Sequence, residues 1–386
     1  MLPRTVILLS LVSFLNDAAS ELITPLLPLF LTATLGAGPW VVGLVEGVAE
    51  TTASVLKIFS GRLADRGLRH KLLVLSGYTL SNLCRPLIGL AGAWSMVLGL
   101  RFLDRVGKGI RTAPRDALIV HTTPPELLGR AFGFHRALDN AGAIAGPIAA
   151  FFLLNLGLPM TQVFLWSAVP GVCVLGLLLL GLKEPPRPPR LSPPPLRWHA
   201  LDTPLKGLIL ASGGLQLAAA PEVFLVLWAT ERGLEVAWAP LLWAAASVVK
   251  TPISLAGGEL SDRIGQLPVL VLGWGMRVGT LIALALAQNG ALLTWGLFLG
   301  YAAALAMTEG PERALVGTCA PKALRATAFG LYHMTVGLAA LPGGVLFGSL
   351  WQWGGAPLAF AFSATGTAVS AVVLLAYTRR GHSLRT

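Results

Sequence analysis

The sequence predicts an all-α polytopic membrane protein with twelve transmembrane helices in two pseudo-symmetric six-helix bundles. Three observations carry this reading. First, 54% of the 386 residues are hydrophobic and 12% are charged, with a mean hydropathy of +0.71. Soluble chains carry about a quarter charged residues, and one of this length could not bury so much apolar surface. Second, the apolar residues fall into runs near the ~20 residues that cross a hydrocarbon core. Third, the two halves of the chain repeat each other at one fixed offset.

The runs lie near 6–31, 39–61, 71–93, 95–118, 127–155, 160–182, 204–230, 237–259, 267–287, 291–315, 323–350 and 356–378. The first begins like a secretory leader, with Arg4, an apolar stretch and Ala18-Ala19-Ser20. It resumes after Glu21 and continues to Leu31, too long for a leader, so it reads as a retained span. Between the sixth and seventh runs, Lys183 to Pro195 is rich in proline and arginine. Proline at this density excludes a helix and favours an extended, solvated tether. The expected organisation is therefore a bundle at 1–182, a linker at 183–203 and a bundle at 204–386.

The repeat is visible in three unrelated strings. Gly61-Arg-Leu-Ala-Asp65-Arg66 matches Gly258-Glu-Leu-Ser-Asp262-Arg263 at an offset of 197. Ala113-Pro114-Arg-Asp-Ala117 matches Gly310-Pro311-Glu-Arg-Ala314, and Ala131-Phe-Gly133 matches Ala328-Phe-Gly330, at the same offset. A tandem copy with an even number of spans enters the membrane from the same side twice. Parallel repeats of this kind are an architecture of secondary transporters.

The string after the second span, Gly61 to Lys71, resembles the signature loop of the major facilitator superfamily, and the second copy keeps Asp262-Arg263-x-Gly265. Arg101 to Gly109 in the fourth span resembles the family's arginine- and glycine-rich motif, which the family associates with proton transfer. Gly142-Ala-Ile-Ala-Gly146-Pro147 in the fifth is similar to its antiporter motif, although two such glycines can equally serve helix packing. The resemblance implies a cavity between two bundles, alternating access, and gating at Gly61, Asp65, Arg66, Gly258, Asp262, Arg263, Gly142, Gly146 and Pro147.

Ionisable side chains inside spans are expensive and normally face a cavity or a partner. The first half is rich in them. Asp17 and Glu21 share a face of the first span beside Pro25 and Pro28, and Glu46 and Glu50 share a face of the second. Arg101, Asp104, Arg105 and Lys108 form one stripe on the fourth. His135, Arg136 and Asp139 lie on the fifth, and the second half adds Glu222 and Glu309. Arg101 with Asp104 also reads as a self-neutralising pair, Arg85 and Lys57 as snorkelling residues, and Glu312 with Arg313 as a pair near a loop. Asp17 and Glu21, lacking a cation in their own helix, are the expected proton-coupling carboxyls, with Arg101 or Arg105 as expected partners.

The net charge of +11 does not mark a nucleic-acid binder, because the basic residues sit in short stretches between spans. Such loops are retained in the cytoplasm, which places both termini and the linker on the cytoplasmic side of a cell's inner membrane. Three scattered cysteines give no disulfide framework or metal site. No zinc-protease, serine-hydrolase or nucleotide-binding string is present, so the chain reads as no enzyme, with no cofactor and with an ion gradient as its energy source. The expected function is proton-coupled antiport of a small organic molecule out of the cell by a monomer whose partners are substrate, protons and lipid. Uptake of a metabolite, metal or metal chelate is the alternative. If the topology holds, a cysteine placed at Ser192 should resist an impermeant maleimide in intact cells and react in inverted vesicles. Ready labelling from outside would overturn it.

Overall fold

The structure, a computed structural model, describes residues 2–65, 68–182, 203–288, 290–320 and 325–382, with side chains described except at 61–65, 203–204, 325–327 and 378–382. The linker expectation at 183–202 and the residue Arg66 lie outside the described residues. So do the side chains of Gly61 and Asp65. Among the described residues the chain is helical and holds no strand. Seven helical stretches among the described residues are long and apolar enough to cross a membrane: 125–155, 160–181, 205–231, 236–264, 266–286, 291–319 and 328–377.

The first expected span is not one helix. Helix α1 (Arg4–Glu21) stops at the second of the two carboxyls, and a short α2 (Leu27–Leu29) and a π-helical turn (Phe30–Thr34) follow. Proline explains the break. Pro25 has no N–H to give to the carbonyl of Glu21, and its ring crowds that oxygen. The chain tightens instead, with the amides of Ile23 and Thr24 both bonding the Ser20 carbonyl at 3.1 Å. The seventh expected span breaks likewise into α9 (Thr203–Leu217) and α10 (Glu222–Glu231), with Pro221 at the start of α10. There the Tyr301 hydroxyl donates to the Ala220 carbonyl at 2.7 Å, supplying a bond that hydrocarbon cannot.

The other helices are α3 (Pro39–Asp65), α4 (His70–Leu87), α5 (Trp94–Thr122), α6 (Leu128–Asn155), α7 (Met160–Trp166), α8 (Ala168–Gly181), α11 (Ala239–Ile264), α12 (Gln266–Leu286), α13 (Ala291–Cys319) and α14 (Arg325–His382). The last is two helices joined at Gly355, whose φ of 73° is open to glycine and costly for other residues. Gly265, at φ 95°, likewise turns the chain between α11 and α12, which is the physical use of the glycine in Asp262-Arg263-x-Gly.

The described chain forms two compact units. Of the described residues, one unit takes those within 2–36, 48–182 and 235–244, and the other those within 37–47, 203–234 and 245–382. The boundaries differ from the repeat: the first turns of α3 pack with the second unit, and the start of α11 with the first. In the second unit the backbone of Gly43 lies directly against Gly344 of α14. The cores of the two units are built at equivalent positions of the repeat. Ile119 and Ala131 are buried with Val6, Leu9 and Tyr78 in one. Val316 and Ala328, each 197 residues later, are buried with Leu205, Leu208 and Trp274 in the other.

In the first unit, α1 packs along α6 through glycine. A Cβ added at Gly142 would stand 2.3 Å from the Phe14 carbonyl oxygen, and one at Gly146 2.4 Å from that of Ala18. Gly142→Ala should therefore lower the thermal unfolding midpoint of the purified protein by the equivalent of about 1–3 kcal/mol, the usual cost of overpacking. Gly176→Ala, where a Cβ meets nothing within 4 Å, should leave it unchanged or raise it slightly. Equal midpoints for the two variants would contradict this packing.

Candidate functional site: a charged interior in the first unit

Helix α5 carries Arg101, Asp104, Arg105, Lys108, Arg111 and Arg115 at helical spacing. Asp104 is completely enclosed and receives three guanidiniums: Arg85 of α4 at 3.1 Å, Arg101 at 3.5 Å and Arg105 at 3.6 Å. Arg85 does not snorkel. It is 2% exposed and also bonds the Asn16 backbone and side-chain oxygens of α1, each at 2.9 Å. One carboxylate thus ties together α4, α5 and, through Arg85, α1. Arg111 extends the cluster, donating to Ser81 at 2.6 Å with its guanidinium 4.5 Å from the Tyr78 ring centre. Asp104 and Arg101 therefore hold helices together and do not line an open space.

Asp17 and Glu21 are differently placed. Both are partly buried, on the last turns of α1 ahead of the proline break. Asp17 accepts a hydrogen bond from Asn16 at 3.1 Å. Lys108, Arg111 and Arg115 are the cations whose fields reach it, and Asp139 is the opposing acid. Glu21 accepts the indole N–H of Trp243 at 2.9 Å and feels Arg105 and Lys108. Of the two expected partners, Arg105 reaches Glu21 and Arg101 reaches neither; Lys108, which is exposed, is the cation common to both carboxyls.

On α6, Asp139 accepts a short hydrogen bond from Ser13, which in turn accepts from Arg115 at 3.2 Å. His135 is buried with Nε2 3.8 Å from Asp139, whereas Arg136 is exposed. Glu50 and Lys57 are exposed and Glu46 partly buried; Glu46 falls in the second unit and Glu50 in the first. In the second unit Glu222 pairs with Lys250 at 2.5 Å and Glu309 with Arg313 at 2.9 Å. Asp262 and Arg263 are exposed at the end of α11. Gly142, Gly146 and Pro147 are where α6 meets α1 or is buried beside it.

Sequence reasoning missed several participants. Arg85 does lie in the last turn of α4, as its place near a helix end suggested, but it turns inward to Asp104 and Asn16 instead of snorkelling. Ser13 and Asn16 carry no charge and gave no signal, and Trp243 is legible only as an aromatic wall or interfacial anchor, although each completes a bond to a charged group. Glu312 was read as a loop-proximal partner of Arg313. It lies inside α13 and takes a hydrogen bond from Ser212 at 2.5 Å, while Arg313 turns back to Glu309.

An all-helical chain with apolar spans and this density of interior charge is a membrane transporter in class. A model of the Major Facilitator Superfamily matches residues 9–314, and the chain belongs to that family. The uncharacterized MFS-type transporter MJ1317 of Methanocaldococcus jannaschii is 34% identical over 362 residues, covering 91% of this chain and 89% of that one. The multidrug resistance protein MdtG of Klebsiella pneumoniae is 27% identical over 306 residues, covering 72% and 70%. The crystal structure of a bacterial homologue of the human lysosomal transporter Spinster superposes with a TM-score of 0.80 at 18% identity, covering 97% of this chain and 96% of that one. That last likeness is one of fold.

The Asp104 cluster makes a stability prediction. Asp104→Asn leaves three guanidiniums facing one another in a buried site, and removing one partner of such a cluster costs about 3–5 kcal/mol. The variant should unfold at a markedly lower temperature than the parent. Asp116→Asn, which breaks a pair at a 38% exposed carboxylate, should cost less than about 1 kcal/mol. Equal thermal stability of the two variants would remove Asp104 from its central place.

Proposed function

We propose that this protein is a proton-coupled antiporter that exports a small organic molecule by alternating access. It acts as a monomer of twelve spans in two six-helix bundles, set in a cell's inner membrane with both termini cytoplasmic. The observation that carries the reading is the position of Asp17 and Glu21. They end a helix at a proline break, partly buried, with Lys108 exposed beside them and no cation on their own helix core. Multidrug resistance relatives such as MdtG support the direction of export.

The chemistry follows from the cost of charge. An ionised carboxyl in a span costs a few kcal/mol unless a partner or water offsets it. Protonated, Asp17 and Glu21 are neutral and tolerate a closed, dry surrounding. Deprotonated, they need the positive field of Lys108, Arg111 and Arg115. The indole of Trp243 holds the Glu21 carboxylate in place, and Asn16 does the same for Asp17. A conformational change that alters access to α1 therefore changes which protonation state is favoured. By linkage, proton occupancy then biases the conformational equilibrium. The gating loops at Asp65 and Asp262 would set the balance between states.

Neutralising either carboxyl separates coupling from binding. Asp17→Asn and Glu21→Gln should abolish accumulation driven by a proton gradient in proteoliposomes. Counterflow exchange, which needs no net proton movement, should persist within a few-fold of the parent. Uphill transport by both variants with unchanged pH dependence would locate coupling elsewhere.

A further inference from the structure

The second unit contains a cavity of about 300 Å³ lined by charged and polar groups, including Ser212, Glu222, Lys250, Arg277, Glu312 and Tyr332. Pockets of a few hundred Å³ hold ligands from amino-acid to small-drug size. The charges in it are not equally matched. Glu222 has Lys250 at 2.5 Å, and Glu309 has Arg313 at 2.9 Å. Glu312 instead receives the hydroxyls of Ser212, at 2.5 Å, and of Tyr332. Among the described residues, no lysine, arginine or histidine nitrogen forms an ion pair with it. Arg277 is only partly matched: it is 6% exposed, its guanidinium lies 5.7 Å from the Tyr301 ring centre and bonds the Tyr301 hydroxyl, and its field reaches Glu312, but its Nε has no acceptor. One cavity therefore presents an acid whose hydrogen bonds come from neutral hydroxyls and an arginine Nε without an acceptor.

The internal repeat gives this arrangement a counterpart. Arg115 and His135 stand 197 residues before Glu312 and Tyr332. In the first unit Arg115 bonds Ser13 of α1. In the second, Glu312 bonds Ser212 of α9, so the same kind of serine meets the same repeat position with its charge reversed. Arg115 has its own counter-ion, Asp116, at 2.9 Å. The residue in the corresponding place after Glu312 is Arg313, and it is bonded to Glu309. The repeat thus preserves the polar position, while Arg313, the neighbour of the acid in the second unit, makes its ion pair with Glu309 instead.

We propose that this cavity is a binding subsite for a dipolar ligand, one that brings a protonated amine to Glu312 and a carboxylate or carbonyl oxygen to Arg277. Leu215, Leu305 and Val336 supply the apolar wall for the rest of the molecule. Each group answers a specific deficit. An ammonium gives Glu312 a charged donor, which forms stronger bonds than hydroxyls do. An oxygen acceptor satisfies Arg277 Nε, whose buried N–H is costly to leave unmet. The proposal deepens the transport reading by naming the substrate class, and it rests on that reading for its biological meaning.

The test uses three probes of one shape: phenylalanine, phenethylamine and 3-phenylpropionate, measured by equilibrium binding to the purified full-length chain. Phenylalanine should bind most tightly and the acid-only probe most weakly. Glu312→Gln, which keeps the shape and the Ser212 bond, should weaken phenylalanine and phenethylamine at least tenfold and leave 3-phenylpropionate unchanged. Arg277→Gln should weaken only the two carboxylate-bearing probes. Monodisperse elution of both variants confirms folding, and Tyr332→Phe, expected to cause a smaller loss of amine binding, provides a milder check. Absence of saturable binding by all three probes, or amine binding unaffected by Glu312→Gln, would overturn the proposal. Because binding needs no gradient, retained binding without proton-driven flux would count against the transport reading and leave the subsite standing.

Discussion

Asp104 brings a negative charge into the centre of the first unit, where water cannot screen it, and Arg85, Arg101 and Arg105 converge on it. Much of the unit depends on this one balance. Three guanidiniums without the carboxylate would repel one another, and the carboxylate without them would not stay ionised in an apolar interior. Through Arg85 the cluster reaches the backbone of α1 at Asn16, one residue before Asp17. Through Arg111 it reaches Ser81 and Tyr78 of α4. The acid that never meets solvent therefore fixes the helix bearing the acids that can. With Arg101 bound to Asp104, the positive field on Asp17 comes from Lys108, Arg111 and Arg115, and that on Glu21 from Arg105 and Lys108.

The backbone makes the complementary contribution. Gly142 and Gly146 let α6 approach α1 until carbonyl oxygens stand where side chains would be, which brings Ser13 within reach of Asp139. Pro25 ends α1 just after Glu21, and Pro221 precedes α10 in the equivalent region of the second unit. Broken helices are tolerated at membrane depth only where protein or water completes the backbone bonds. The Tyr301 hydroxyl does this at Ala220.

The class of fold was legible because it rests on bulk properties. Apolar runs of span length survive errors of several residues at each end, and a repeat with one offset needs no structure to be seen. Helix interruptions were legible only as disturbances: Pro25 and Pro28 were visible, but not that α1 would end at Glu21. The charged stripe on α5 was read correctly as a stripe, yet its partition was not. Whether Arg101 serves Asp104 or Asp17 depends on how α1, α4 and α5 are rotated about their axes, and spacing within one helix carries no information about that. Neutral partners were hardest of all. Ser13, Asn16, Trp243 and Ser212 look ordinary in a membrane helix until a carboxylate or guanidinium is found opposite. Glu312 was misassigned because its neighbour Arg313 suggested a local pair, whereas the helix sends the two side chains to different partners.

The central claim is that Asp17 and Glu21 exchange protons with solution while Asp104 does not. Infrared difference spectroscopy of the protein in lipid, recorded as the pH is lowered through the physiological range, tests this without knowledge of the substrate. The account predicts a protonated-carboxyl C=O band that grows as pH falls, shrinks in Asp17→Asn and Glu21→Gln, and persists in Asp104→Asn under conditions where that variant remains folded. A band unchanged in the first two variants, or lost only on changing Asp104, would contradict it.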